Sequence, residues 1–360
     1  TSLFGNLNKT KIMKKLKKIN TLLLPFLFTL TILSCSKNDD SDSAPTSTIT
    51  DIYLLSNETN GPVVYKNGAP IPSNYKETFG IASSIFVSEN DVFITANENI
   101  APGRYIAKYS KNGTITSLSD KTQDAYAYSI AVSGNDVYVA GYEDNGIAYV
   151  AKYWKNGVAT NLTDGKNTAI AESIFIVGND VYVAGKERNG SRDIAKYWKN
   201  GIATNLSDGK RDAYAKSIIV VGNDVYVAGY EGNGSKDVAK YWKNGVATSL
   251  SNGIQNAYAK SVFVSGNDIY VAGYEHNAAG YIVAKYWKNG IATNLSDGKS
   301  NVFANSIAVS NNDVYVAGDE NGVTFYKAAK YWKNSMIVNI VPDVLEYSSF
   351  VDMVVNTYSN

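Results

Sequence analysis

From residue 81 onward the chain alternates short apolar runs with polar punctuation. SIFIVG (173–178) and DVYVAG (180–185) are continuous or period-two apolar runs of strand length. They are separated by Gly178-Asn179. A polar loop holding Asn189-Gly190 leads into DIAKYW (193–198), and Asn200-Gly201 leads into IATNL (202–206). Asn-Gly tolerates the positive φ that a two-residue hairpin needs. The pattern predicts four short antiparallel strands, after which SDGKRDAYA carries the chain to another copy of the same unit.

The copies keep a fixed period. The Asp that opens each second strand stands at 51, 91, 136, 180, 224, 268 and 313, spaced 40, 45, 44, 44, 44 and 45. Trp154, Trp198, Trp242, Trp287 and Trp332 keep the same beat, with Tyr65 and Ser110 in that register in the first two copies. Four strands per ~44 residues is the period of a β-propeller blade. The ends complement each other. DIYLLS (51–56) enters as a second strand without a first, and SSFVDMVV (348–355) leaves as a first strand without a second. The predicted fold is all-β: a seven-bladed β-propeller with four antiparallel strands per blade and Velcro closure of the terminal strands, which leaves no open edge. An open β-solenoid is the structural alternative. The register of 348–355 stays open, because Ser349 does not fall where the other inner-strand serines fall.

Pairing outward from Asn189-Gly190 sets Arg188 opposite Ser191, Glu187 opposite Arg192, Tyr182 opposite Tyr197, Val181 opposite Trp198 and Val183 opposite Lys196. On that register the Tyr pair faces one neighbouring blade and the Val–Trp pair the other, so the tryptophans read as packing. The lysines two residues earlier (Lys108, Lys152, Lys196, Lys240, Lys285, Lys330) read as stems lying over apolar surface. Seven residues after each opening Asp stands a glutamate: Glu58, Glu98, Glu143, Glu187, Glu231, Glu275 and Glu320. These predict an acidic register on one rim, a candidate surface for cations or a basic partner. Strands ~4.8 Å apart put neighbouring copies on the order of 10 Å apart, too far to share a calcium ion. Cross-strand pairs such as Glu187–Arg192 and Glu231–Lys236 offer a structural role instead. The same rim should carry the aromatic start of the inner strands, Tyr126, Tyr214, Tyr258 and Phe303. Two residues on, the register reads Ser83, Tyr128, Glu172, Lys216, Lys260 and Asn305. It varies in charge while its neighbours repeat. A ligand, protein or glycan, is expected at this mouth.

Composition narrows the chemistry. Six lysines precede residue 35 and no acid does; without them 28 basic residues face 33 acidic ones, a net charge of about −5. Nucleic acid is not an expected partner. With one cysteine, Cys35, and one histidine, His276, a Cys/His zinc site has no ligand set. No metal, cofactor or catalytic constellation is expected, and the chain should be a monomer.

Met13 opens a lysine-rich segment followed by the apolar run Thr21–Leu33. That run is too short to span a bilayer and right for a signal-peptide core. It ends Ile32-Leu33-Ser34-Cys35, which resembles a bacterial lipobox and implies lipidation of Cys35. The acidic cluster Asp39, Asp40 and Asp42 resembles the surface-export signal of Bacteroidetes-type lipoproteins. The expected organisation is 1–12 upstream sequence, 13–34 signal peptide, 35–50 lipidated Cys and polar tether, and 51–360 propeller. The only membrane contact would be the lipid anchor, placing the domain at the outer membrane, exposed on the cell surface.

The unit AKYWKNGxATNL…AxAxSIxVxGNDVYVAG is similar to extracellular bacterial propeller repeats, including HAF repeats, although their His-Ala-Phe tripeptide is absent. The resemblance implies an exported propeller and no particular activity. WD40 repeats would bring Gly-His and Trp-Asp, and kelch repeats Gly-Gly; neither occurs. The functional expectation is a cell-envelope binding module. A glycan-active hydrolase or lyase and a structural or adhesive array are the alternatives.

Overall fold

The structure is a computed structural model and describes residues 48–72, 80–321, 327–338 and 347–359. The signal segment, Cys35 and the tether as far as residue 47 lie outside the described residues. The described residues belong to one compact unit, Ser47–Asn360.

Seven four-stranded antiparallel sheets make up the unit. One blade runs, from the axis outward, Ala169–Val177, Asp180–Asn189, Arg192–Lys199 and Ile202–Asn205. The inner strands touch one another in succession, and Ser348–Ser359 touches Ile81–Ser88, which closes the ring. That last strand pairs with Thr48–Glu58 from Thr48↔Ser359 to Glu58↔Ser348, so the first and last described strands share one blade. The first strand thus begins at Thr48, three residues inside the expected tether, because Thr48, Ile49 and Thr50 find partners in Ser359, Tyr358 and Thr357.

The repeated Lys-Asn-Gly is a latch. Asn67, Asn112, Asn156, Asn200, Asn244, Asn289 and Asn334 all have φ between 49° and 51°, the left-handed geometry of a tight hairpin turn. Asn200 Nδ2 donates to Asp180 Oδ1 at 2.7 Å, its Oδ1 accepts from Val181 N at 2.8 Å, and Lys199 Nζ lies 2.8 Å from Asp180 Oδ2. Every blade repeats this Asp–Lys–Asn triangle, from Asp51, Lys66 and Asn67 to Asp313, Lys333 and Asn334. The opening Asp and the Lys-Asn pair therefore recur together because they bind each other.

The second-to-third-strand hairpin is in a different register from the one its turn suggested. Tyr182 faces Lys199, Val183 faces Trp198, Gly185 faces Lys196 and Glu187 faces Ile194; the turn is Gly190-Ser191, between paired Asn189 and Arg192. The latch holds the far end of the hairpin and fixes the register from there, and the tip follows. The shift moves each partner by two positions, so every side chain keeps its predicted face. The two faces form one kind of joint. Tyr182, Ala184, Ala195 and Tyr197 of one blade pack on Ile218, Val227 and Trp242 of the next. Seven such clusters bind the ring. All five tryptophans are fully buried in them.

Candidate binding mouth and axial channel

Each inner strand carries a β-bulge, and the bulged residue is the variable one. In the blade of Ala125–Ser133, Ala127 pairs with Gly141 and Ser129 with Ala140, leaving Tyr128 unpaired. Gly141 makes room for the bulge: a Cβ there would lie 1.9 Å from the Tyr126 carbonyl oxygen. Glycine recurs for the same reason at 185, 229, 273 and 318. Bulges re-aim side chains. Here they turn Ser83, Tyr128, Glu172, Lys216, Lys260, Asn305 and Val351 into one axial cavity of about 210 Å³. The channel brings together all six residues expected at the mouth.

Beneath them runs a belt of inter-blade hydrogen bonds. Ser129 Oγ accepts from Ile174 N (3.2 Å), Ser173 from Ile218 N (3.2 Å), Ser217 from Val262 N (3.1 Å) and Ser261 from Ile307 N (3.3 Å). In the closing blade the belt position is Asp352, not a serine, which settles the register left open at 348–355. Its Oδ2 accepts from Ser84 Oγ and Ile85 N at 2.9 and 3.0 Å, and its Oδ1 from Ser306 Oγ and Met353 N at 2.9 and 2.8 Å. Burial raises its pKa above the ordinary carboxyl value, against the pull of these four donors.

The charges in the channel are unequal. Lys216 Nζ meets Glu172 Oε1 at 2.5 Å. Lys260 has no hydrogen-bond or ion-pair partner among the described residues. Part of its surface stays open to the channel, yet protein encloses it closely enough that desolvation, and then Lys216, push its pKa down.

Above the channel the predicted aromatics continue into rings that the sequence reading did not select. Tyr126 lies 4.7 Å from Tyr128 and 6.1 Å from Tyr142. A second run passes from blade to blade: Tyr214–Tyr230 at 4.7 Å, Tyr230–Tyr258 at 4.8 Å, Tyr258–Tyr274 at 5.1 Å and Tyr274–Phe303 at 5.0 Å. Burial pushes the Tyr214 phenol up to about 12. Two carboxylates, each only 2% exposed, sit in the same layer. Asp193 binds Lys186 at 2.7 Å and Arg188 at 3.2 Å; burial opposes its charge, and these cations hold its pKa below the ordinary value. Asp319 accepts from Asn305 Nδ2 and Ser349 Oγ at 3.0 and 2.9 Å. The missed signal was the register just after the second-strand glycine, which reads Tyr142, Lys186, Tyr230, Tyr274 and Asp319.

The seven glutamates lie at the end of the second strand on this side, half-buried and engaged. Glu143, Glu187 and Glu231 each meet a lysine, Lys152, Lys196 and Lys240, at 2.5 Å. Glu98 and Glu275 meet Lys108 and Lys285, and Glu320 meets Lys330 at 3.0 Å. Glu58, whose blade has no lysine there, accepts from Tyr65 OH at 2.7 Å. The pairs Glu187–Arg192 and Glu231–Lys236 do not form. In the true register the six glutamates other than Glu58 lie diagonally across from the repeated lysine, and Arg192 turns to Asp212 at 2.9 Å. A separate depression of about 410 Å³ is lined by Arg192, Arg211, Lys236, Asp212 and Asp237, none of which lines the channel. Among the described residues no group of three or more His, Cys, Asp or Glu is placed to hold a metal ion.

No protein-family model matches the chain, and no curated protein matches it. Among solved structures it is similar to the β-propeller domain of the Trilobed protease from Pyrococcus furiosus, with a TM-score of 0.52 and 9% identity over 81% of this chain and 94% of that one. At that identity the likeness concerns the fold alone. That domain is described as having an open velcro topology, whereas here the first and last described strands pair.

Proposed function

We propose that the protein is a non-catalytic binding module of the cell envelope, anchored through lipidated Cys35, whose ligand enters the aromatic mouth and reaches the axial channel. One observation carries this reading. The register at which near-identical blades differ is the register that a bulge turns into a common cavity. A purely structural or adhesive array has no need of such variation. An extracellular glycan hydrolase or lyase would need carboxylates available for proton transfer, and the rim glutamates are held by lysines or, for Glu58, by a tyrosine.

The test is capture of glycans and peptides on arrays by the whole protein, repeated with Tyr258→Ala and Lys216→Ala. Ligands lost with these variants and retained by Lys210→Ala, an exposed lysine paired with Asp208 and outside the channel lining, support the mouth. Capture indifferent to both mouth variants sinks it. For the anchor, Cys35→Ser should move the protein from the membrane fraction to the soluble one; retention in the membrane fraction refutes lipidation.

A further inference from the structure

The channel floor is rich in hydrogen-bond donors, and most of its acceptors are already engaged. Both oxygens of Asp352 are occupied by four donors. Glu172 binds Lys216 through Oε1. The Asn305 amide donates to Asp319 Oδ1 and to the Phe350 carbonyl, each at 3.0 Å. The Oγ atoms of Ser129, Ser173, Ser217 and Ser261 each accept a backbone N–H, and their own hydrogens have no protein acceptor among the described residues. To these four hydroxyls is added the ammonium of Lys260, with no partner among the described residues. Enclosing a cation with no directly bonded partner is costly; Glu172 and Asp319 offset part of that cost from a distance, Lys216 adds to it, and the surrounding donors cannot relieve it. An anion can. It would accept from the serine hydroxyls and neutralise Lys260 together.

We infer that the axial channel binds a small carboxylate, no larger than an acidic monosaccharide, with its oxygens on Lys260 and the serine belt. The cavity of about 210 Å³ sets the size. Tyr128, which lines it beside Tyr126, gives a sugar-like or planar body a ring to lie against. The inference rests on the mouth being the binding site and names what its deepest part takes.

The experiment is calorimetric titration of the whole protein with glucuronate, acetate, inorganic phosphate and glucose, on wild type, Lys260→Met and Lys260→Arg. The expected result is saturable binding of glucuronate, retained in Lys260→Arg and weakened at least about tenfold in Lys260→Met, the loss of one charge-assisted contact. Thermal unfolding adds a readout that needs no ligand. Lys260→Met should melt higher than wild type without anion, because it removes an enclosed charge with no bonded partner, and glucuronate should raise the Tm of wild type and Lys260→Arg more than that of Lys260→Met. Equal glucuronate affinity in wild type and Lys260→Met overturns the inference, as does the absence of any carboxylate binding. Binding of phosphate alone overturns the carboxylate assignment. Capture of a neutral ligand that depends on Tyr258 and not on Lys260 would leave the mouth reading standing and this one refuted.

Discussion

Asp352 stands where six other inner strands carry serine, and its surroundings consist of donors. Asp352→Asn keeps the shape but turns an amide N–H₂ toward groups that can only donate, such as Ile85 N. It should cost about 1–3 kcal/mol in urea unfolding; an unchanged midpoint would contradict the donor-only reading. The pH dependence has a definite sign. Burial raises the Asp352 pKa in the fold, so the native state holds the proton longer than the unfolded chain. Its contribution is fully present below the ordinary carboxyl pKa and is lost as pH rises through the raised one. Wild type should therefore lose stability relative to Asp352→Asn over that window. Lys260 gives a second sign. Its pKa is lowered by burial and by Lys216, and raised by Glu172 and Asp319; Asp352 also lines the cavity. Anion binding favours the protonated amine, so carboxylate affinity should fall as pH rises through the lowered Lys260 pKa, and binding should take up protons there.

Among elements, the joint between blades decides stability. Trp242 fills the contact with the preceding blade's Tyr182 and Ala184, and Trp242→Ala should cost about 3–5 kcal/mol, read from the urea midpoint. Two joints lack tryptophan: buried Tyr65 fills the position in one, whereas in the other it is Ser110, fully buried, its hydroxyl without a partner among the described residues, as is that of nearby Thr95. Amides of Arg104–Lys111 should exchange with deuterium faster than those of Arg192–Lys199; equal protection would show that the aliphatic cluster around Leu55 and Ile94 compensates. The sequence revealed these strands well and their pairing less well. Turn residues identified each hairpin, but the Gly190 hairpin is positioned by Asp180 and Asn200 at its other end, a contact that local turn chemistry cannot display. The Lys–Glu pairs were hidden for the same reason: both registers were visible, and only the two-residue correction sets them diagonally together.

At the scale of the molecule, the ring and its blade number were legible because repetition multiplies a weak signal seven times and because the two incomplete ends complete one blade. The channel was legible for the opposite reason, as variation against a constant background. What sequence could not show was the bulge that aims Tyr128, Glu172 and Lys260 inward: in five blades Gly141 and its equivalents let the two backbones approach there, but the other two bulge beside Ala96 and Ser56, so no single residue type announces it. Asp352 was equally hidden, because its blade is assembled from segments almost the whole chain apart.

That assembly has a consequence for biosynthesis. Thr48–Glu58 emerges early and finds its inner neighbour only when Ser348–Ser359 has been made. Until then one blade has an unpaired edge and the ring cannot close, and contacts so distant in sequence are slow to form. A chain interrupted anywhere before Ser348 would keep that edge exposed. Closure therefore reports that synthesis has passed Ser359, and it gives proteases and chaperones a structural difference by which to tell a closed ring from an open one.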